Sequence, residues 1–210
     1  MSAPGTHDFA VVSTEDVHIG RVVALRVDDV RMPGGAVARR EVVEHMGAVV
    51  IAAVDDDERI TLIHQYRHPL RRRIWELPAG LLDEDGESPV DAARRELVEE
   101  AGLSAQRWET LVDVAASPGF TDEVVRVFLA RGVSEVERAH LDEDDEEADL
   151  VVHKVPLAEA VRMALAGELV NGATVAGVLA AHAVLTGAAG TRPADAPWRD
   201  RPTTFAKRSH

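Results

Sequence analysis

The stretch Leu77–Leu103, LPAGLLDEDGESPVDAARRELVEEAGL, limits the possible folds more than any other, because it sets helix punctuation around a row of carboxylates. Ser88 fits an N-cap, Pro89 fits the first helical position, Asp91 stands three residues after the cap, and Gly102 marks the C-terminal end. Positions three and four apart share a helix face, so Glu96 lies beside both Glu99 and Glu100. Like charges at that spacing destabilise a bare helix by roughly 0.2–0.5 kcal/mol per pair. Oxygen-only ligands of this kind suit a hard divalent cation such as Mg²⁺, which is commonly shared between a few carboxylates and substrate phosphates. The plain alternative is a solvated acidic face. Val90, Ala93 and Leu97 form the apolar stripe that docks the helix, which predicts an acidic face pointing away from the core.

Taken in order, Gly80, Glu87, Arg95, Glu96, Leu97, Glu99, Glu100, Gly102 and Leu103 resemble the Nudix box, G-x5-E-x7-R-E-U-x-E-E-x-G-U with U aliphatic. The first gap departs from the pattern, with six residues (Leu81 to Gly86) in place of five. An added loop residue costs little, since closure entropy grows slowly with length, and the helical positions keep their spacing.

The formal net charge of -14 argues against a nucleic-acid partner, which asks for a basic patch. A phosphorylated small molecule remains compatible with that charge, because bound cations reverse the local field. With no cysteine, disulfides, a thiol nucleophile and a cysteine-rich zinc site are all excluded. The segment MSAPGTHDF lacks the basic and apolar regions of a signal peptide, and the apolar run near Val175 to Gly190 is interrupted by His182 and short for a bilayer. The expectation is a cytoplasmic protein with no membrane partner.

Along the chain, alternation in RVVALRVDDVRM and VARREVVEH, broken by Pro33, Gly34 and Gly35, predicts a small antiparallel sheet over Val11 to His45. GAVVIAAV and RITLIHQY predict two strands joined by the acidic turn Asp55 to Glu58. WETLVDVAA and VVRVFLA predict two more, with Ser117, Pro118 and Gly119 forcing a loop. Leu157 to Ala166 and Ala173 to Val184 read as helices. A mixed sheet with helices on both faces follows, in accord with the α/β/α sandwich that the Nudix resemblance implies. The expected divisions are an N-terminal β extension over 1–45, a Nudix domain over 46–190 and a tail over 191–210.

Within the family, three features are similar to ADP-ribose pyrophosphatases. Pro118 falls fifteen residues after Leu103, and SPGFTDE, Ser117 to Glu123, looks like the loop that lies against substrate in those enzymes. The N-terminal strands resemble an extension that is exchanged across a homodimer, with Arg40 and Glu41 reaching a nucleoside in the partner's site. The resemblance also implies substrate contacts at Arg67, Glu76, Leu81, Ser117, Pro118, Gly119 and Glu123. It implies metal ligation by the Ala79 carbonyl, Glu96 and Glu100, with Glu99 in support, and Mn²⁺ as a substitute for Mg²⁺. Arg95 is expected to orient Glu99, and Glu87 to hold the loop or support the metal from behind. The acidic run Asp142 to Asp149 corresponds to a loop that supplies a catalytic carboxylate, with Glu147 the first choice for general base and Glu146 the second. The implied reaction is metal-dependent hydrolysis of ADP-ribose to AMP and ribose 5-phosphate. The alternatives are another nucleoside diphosphate sugar as substrate, or a non-catalytic domain that senses ADP-ribose and would lack box carboxylates.

Overall fold

The computed structural model describes residues 5–84, 86–138 and 149–208. The chain divides into two compact units, Met1–Gly47 with Ala115–Val124 and Asp200–His210, and Ala48–Val114 with Val125–Arg199.

In the first unit, β1 (Val11–Ile19), β2 (Val23–Arg31) and β3 (Val37–His45) form an antiparallel sheet in the order β1-β2-β3. The turn after β2 falls at Pro33, Gly34 and Gly35 as the sequence predicts, and a further break near Gly20 separates β1 from β2. Fully buried Glu44 on β3 takes charge-assisted hydrogen bonds from Arg26 on β2 and from Arg208 near the C-terminus, the latter at 2.5 and 3.2 Å. Arg208 also reaches Asp16 at 2.6 Å. A buried carboxylate survives only when paired in this way.

The second unit is built on β4 (Ala48–Ala53), whose six residues include five that are buried. β4 runs parallel to β9 (Val124–Glu135) and antiparallel to β7 (Ala79–Leu81), so the sheet is mixed. Its order is β11-β8-β9-β4-β7, with β8 spanning Leu103–Ala115 and β11 only Arg192–Pro193. Because successive strand residues face opposite sides, β4 feeds two cores. Val49, Ile51 and Ala53 join Phe128 and helix α1 (Pro89–Ala101) through Ala92, Ala93 and Leu97. Val50 and Ala52 join Val127, Leu129, α2 (Leu157–Leu165) and α3 (Gly172–Leu185). Helices therefore cover both faces of a mixed sheet, and a strand buried on both sides reads as a continuous apolar run.

A second sheet of this unit, in the order β10-β5-β6, comprises β10 (Val151–Pro156), β5 (Arg59–Arg67) and β6 (Arg72–Glu76). The consecutive strands β4 and β5 thus part into different sheets, touching through the isolated bridge Val54 to Ile60. Strand β8 begins five residues before WETLVDVAA, because Gly102, at φ 63°, closes α1 and turns the chain directly into Leu103. The segment after α3 is firmly attached. Arg192–Pro193 pairs with Glu109–Thr110, and the 2 % exposed Arg126 donates to the carbonyls of Ala196 at 2.6 Å and Pro197 at 3.2 Å. Arg126 is held in turn by both oxygens of Asp113, at 2.7 and 3.1 Å, and lies 4.7 Å from the ring centre of Trp198. Among the described residues no helix is long and apolar enough to cross a membrane.

Candidate active site

Helix α1 forms where its capping residues predict. The Ser88 hydroxyl accepts the Asp91 N–H at 3.3 Å, Pro89 stands at the first position, and the Gly102 N–H reaches the Leu97 and Val98 carbonyls. One expectation is corrected: the acidic edge does not point to solvent. Glu96 is 7 % and Glu100 5 % exposed, while Glu99 is half-buried. The reason lies in β7, which packs against the carboxylate-bearing side of α1. The Ala79 N–H donates to Glu100 Oε2 at 2.7 Å. Glu96 folds across Gly80 so closely that a Cβ at Gly80 would stand 1.9 Å from the Glu96 carboxyl carbon. Glycine is thus required there for space, not for backbone freedom.

Arg95 balances this edge. Its guanidinium donates to Glu87 through two bonds of 3.2 Å, to Glu96 at 2.7 Å and to Glu99 at 3.0 Å. Glu87 above all, with Glu96 and Glu99, pushes the Arg95 pKa up despite its partial burial. The pair of Arg95 with Glu99 joins residues four apart, and Glu87 is fixed to the helix through the same arginine. Among the described residues no three carboxylates converge as a ready ion cage. The donor set is nevertheless all oxygen, two of its carboxylates are buried, and the Gly80 cradle brings one of them against the main chain of β7. Those features fit a hard divalent cation.

Arg67 ends β5 across from Arg72, and its side chain reaches Glu76, the last residue of β6. Its Nε donates to Glu76 Oε2 at 2.7 Å, and its side chain remains 43 % exposed. Glu76 itself is 2 % exposed, with Oε1 taking the Asn171 amide at 2.5 Å, so it presents Arg67 outward while staying covered. Arg67 lines a depression of about 530 Å³ with Tyr66, His68, Arg73 and Asp149. Trp75 is partly buried against the core and stacks on His64 at 4.4 Å between ring centres. Leu81 ends β7, paired across from Ala48. A separate cavity of about 610 Å³, lined by Arg59, Glu135, Arg138 and Lys154, contains none of the box carboxylates.

The other expected substrate residues belong to the first unit. Arg40 and Glu41 on β3 line a hollow of about 580 Å³ together with Val27, Arg39, Gly119 and Phe120. The Ser117 carbonyl accepts the N–H groups of Phe120 and Thr121, each at 3.1 Å, which folds Ser117, Pro118 and Gly119 into a turn. The Val43 N–H donates to the Phe120 carbonyl at 2.8 Å, so β3 holds this turn in place. Glu123 lies 3.8 Å from His45 Nδ1. The structure therefore gathers Arg40, Glu41 and Gly119 in one unit, and Arg67, Glu76, Ala79, Leu81, Glu96, Glu99 and Glu100 in the other. Glu146 and Glu147 lie outside the described residues.

Sequence reasoning missed two residues. Asn171 carries an N-cap signal before α3, yet its bond to Glu76 spans 95 positions and has no local mark. Arg126 sits in an apolar strand and gives no hint of the carbonyls it collects.

This mixed sheet, with a carboxylate-edged helix packed on a glycine strand, belongs to the Nudix family: the NUDIX domain model matches residues 43–173. The chain is 56 % identical over 204 residues to an ADP-ribose pyrophosphatase of Mycobacterium tuberculosis, covering 96 % of this chain and 97 % of that protein. It is 40 % identical to an ADP-ribose pyrophosphatase of Bacillus subtilis, over 78 % of this chain and 86 % of the relative. It is 41 % identical to a methanol dehydrogenase activator of Bacillus methanolicus, over 80 % and 89 % respectively. A crystal structure of an ADP compounds hydrolase shares the fold, with a TM-score of 0.74 at 22 % identity over 87 % of this chain and 96 % of that one.

Proposed function

We propose that the chain hydrolyses the pyrophosphate bond of ADP-ribose to AMP and ribose 5-phosphate, in the cytoplasm and with Mg²⁺ as cofactor, Mn²⁺ serving as a substitute. The observation that carries this reading is near full-length likeness, 56 % over 96 % of the chain, to a protein named for that activity, joined to a complete set of box carboxylates.

The Ala79 carbonyl, Glu96 and Glu100 would hold the ion, with Glu99 in support. A divalent cation bound there supplies neutralisation of the diphosphate and lowers the pKa of water. Arg67 offers a guanidinium fork to phosphate oxygens, a geometry that a lysine does not reproduce. Arg95 keeps Glu96 and Glu99 in register on α1. Water attacks one phosphorus in line, its oxygen forming a new P–O bond as the bridging P–O bond breaks, and Glu147, or Glu146 in its place, takes the proton. Ser117, Pro118, Gly119 and Glu123 supply further substrate contacts, while Arg40 and Glu41 reach the nucleoside in the partner's site.

We place residues 1–45 as an extension exchanged between two copies in a homodimer, ahead of a catalytic domain over 46–190 and a tail over 191–210. Support comes from β1, exposed along its whole length, where Val11, Val17 and Ile19 are each 55–56 % exposed. The test is a phosphate-release assay on the purified chain with ADP-ribose and a panel of other nucleoside diphosphate sugars, using Glu100→Gln as control. ADP-ribose should lead the panel, and the variant should lose about a hundredfold or more in kcat while keeping its fold. Turnover of another sugar in preference to ADP-ribose refutes the substrate, and near-normal turnover by the variant refutes the role of α1.

A further inference from the structure

We infer that Asn171 is a positioning residue for Arg67, acting through Glu76. The inference rests on the reading that Arg67 meets a substrate phosphate, and it deepens that reading by naming what aims the guanidinium.

Glu76 has two carboxylate oxygens and two partners. Arg67 Nε takes Oε2 at 2.7 Å, and Asn171 Nδ2 takes Oε1 at 2.5 Å. At 2 % exposure Glu76 has almost no water to lean on, so these two donors fix the plane of the carboxylate. That plane sets the direction in which the Arg67 fork points.

The orientation of the Asn171 amide is itself forced. Its Oδ1 accepts the Thr174 backbone N–H at 2.9 Å, capping α3, and a backbone N–H can only donate. With Oδ1 committed to the helix, Nδ2 must be the end that faces Glu76. Thr174 adds a second tie, its hydroxyl accepting the Leu77 N–H at 3.0 Å with the side chain almost fully covered. The first turn of α3 therefore grips Glu76 and Leu77 together, and its positive end favours the carboxylate.

Asparagine alone meets both demands at this position. Aspartate caps a helix equally well but turns an anionic oxygen toward Glu76. Serine caps too, with no amide left to donate. Both substitutions preserve the helix start and remove the aiming bond; each also leaves buried Glu76 short of a donor, so it is the dependence of their effect on Arg67 that separates positioning from folding.

The experiment measures kcat and KM for ADP-ribose hydrolysis with Mg²⁺ in the wild type, Asn171→Asp, Asn171→Ser, Arg67→Ala and the double variant Asn171→Asp with Arg67→Ala, alongside thermal unfolding. Arg67→Ala should raise KM by roughly 10- to 100-fold, as a lost charge-assisted contact does. Asn171→Asp should raise KM by about tenfold with kcat changed less than about threefold, Asn171→Ser should do so by a smaller factor, and both should unfold below the wild-type temperature, Asp the more, so kinetics are read well below either midpoint. In the Arg67→Ala background the Asp substitution should add less than about twofold, because its effect runs through the missing guanidinium. If Arg67→Ala raises KM but neither Asn171 variant does, or if the double variant shows the full product of the single effects, the inference is wrong and the reading of Arg67 stands. If Arg67→Ala leaves KM unchanged, the reading falls and takes the inference with it.

Discussion

Replacing Gly80 with alanine tests the packing of β7 on α1 at a single atom. The new Cβ would lie 1.9 Å from the Glu96 carboxyl carbon and 2.0 Å from its Oε1. Ordinary carbon contacts begin at about 3.5 Å, so the carboxyl group must retreat by roughly 1.6 Å. The colliding atoms are the carboxyl carbon, Oε1 and Cγ of one long side chain, which Arg95 holds at 2.7 Å, and no left-handed backbone is needed at Gly80. Folding bears the cost of swinging that side chain to another rotamer and loosening its bond to Arg95. Alanine removes freedom from the unfolded chain, which favours folding by roughly 0.4–1 kcal/mol where the backbone is compatible. Catalysis is less tolerant, since a group displaced by about 1 Å costs on the order of a hundredfold. Gly80→Ala should thus fall about a hundredfold in kcat/KM for ADP-ribose, equivalent to about 2.7 kcal/mol of lost transition-state stabilisation. Steady-state hydrolysis in Mg²⁺, run beside thermal unfolding, reads both quantities. A variant within about threefold of wild-type activity and with unchanged melting would refute the reasoning, because Glu96 would then work equally well from a displaced position.

Three further outcomes follow from the site and its supports. Glu147→Gln should reduce kcat more than Glu146→Gln when each is assayed at saturating substrate, and the reverse order would exchange their roles. Arg126→Ala should lower the stability to urea by about 2–3 kcal/mol, below the roughly 3–5 kcal/mol of a fully buried pair because Asp113 keeps Arg192 at 2.9 Å and is 23 % exposed. Burial alone would raise the Asp113 pKa, but hydrogen bonds from Arg126 and then Arg192 bring it below 3.8. A carboxylate depressed in the folded state stabilises it above the unfolded pKa and loses that contribution as pH falls through the folded pKa. The stability gap between wild type and Asp113→Asn, followed by urea titration, should therefore hold above about pH 4 and shrink below it.

The elements whose signals are local were legible in the sequence. Ser88, Pro89 and Gly102 delimit α1 because capping chemistry acts within one turn, and the alternation in VARREVVEH reflects a sheet strand at its true bounds. β6 and β7 escaped notice, being short, with RRIWE rich in arginine and AGL too brief for any period. The box carboxylates were legible by spacing, but their burial was not. Helix periodicity sets Glu96 and Glu100 along the border of the apolar stripe that holds Leu97, and the arrival of Ala79 and Gly80 from another part of the chain completes their cover. Arg67 could be picked out by its place at a strand end, whereas the Asn171 contact behind it depends on α3 meeting β6 across 95 positions. Contacts of that range leave no trace in local pattern.

Strand β11 and the carbonyls of Ala196 and Pro197 have a bearing on how this chain is made. They complete the edge of the five-stranded sheet and receive Arg126, yet Ala196 is made 70 residues after that arginine. While the nascent chain is still being extended, Arg126 has Asp113 but not its carbonyl partners, and the sheet is short of its final strand. The second unit therefore settles only once the segment through Pro197 has been made, which makes a break before Arg192 a defect of maturation before it is a defect of catalysis.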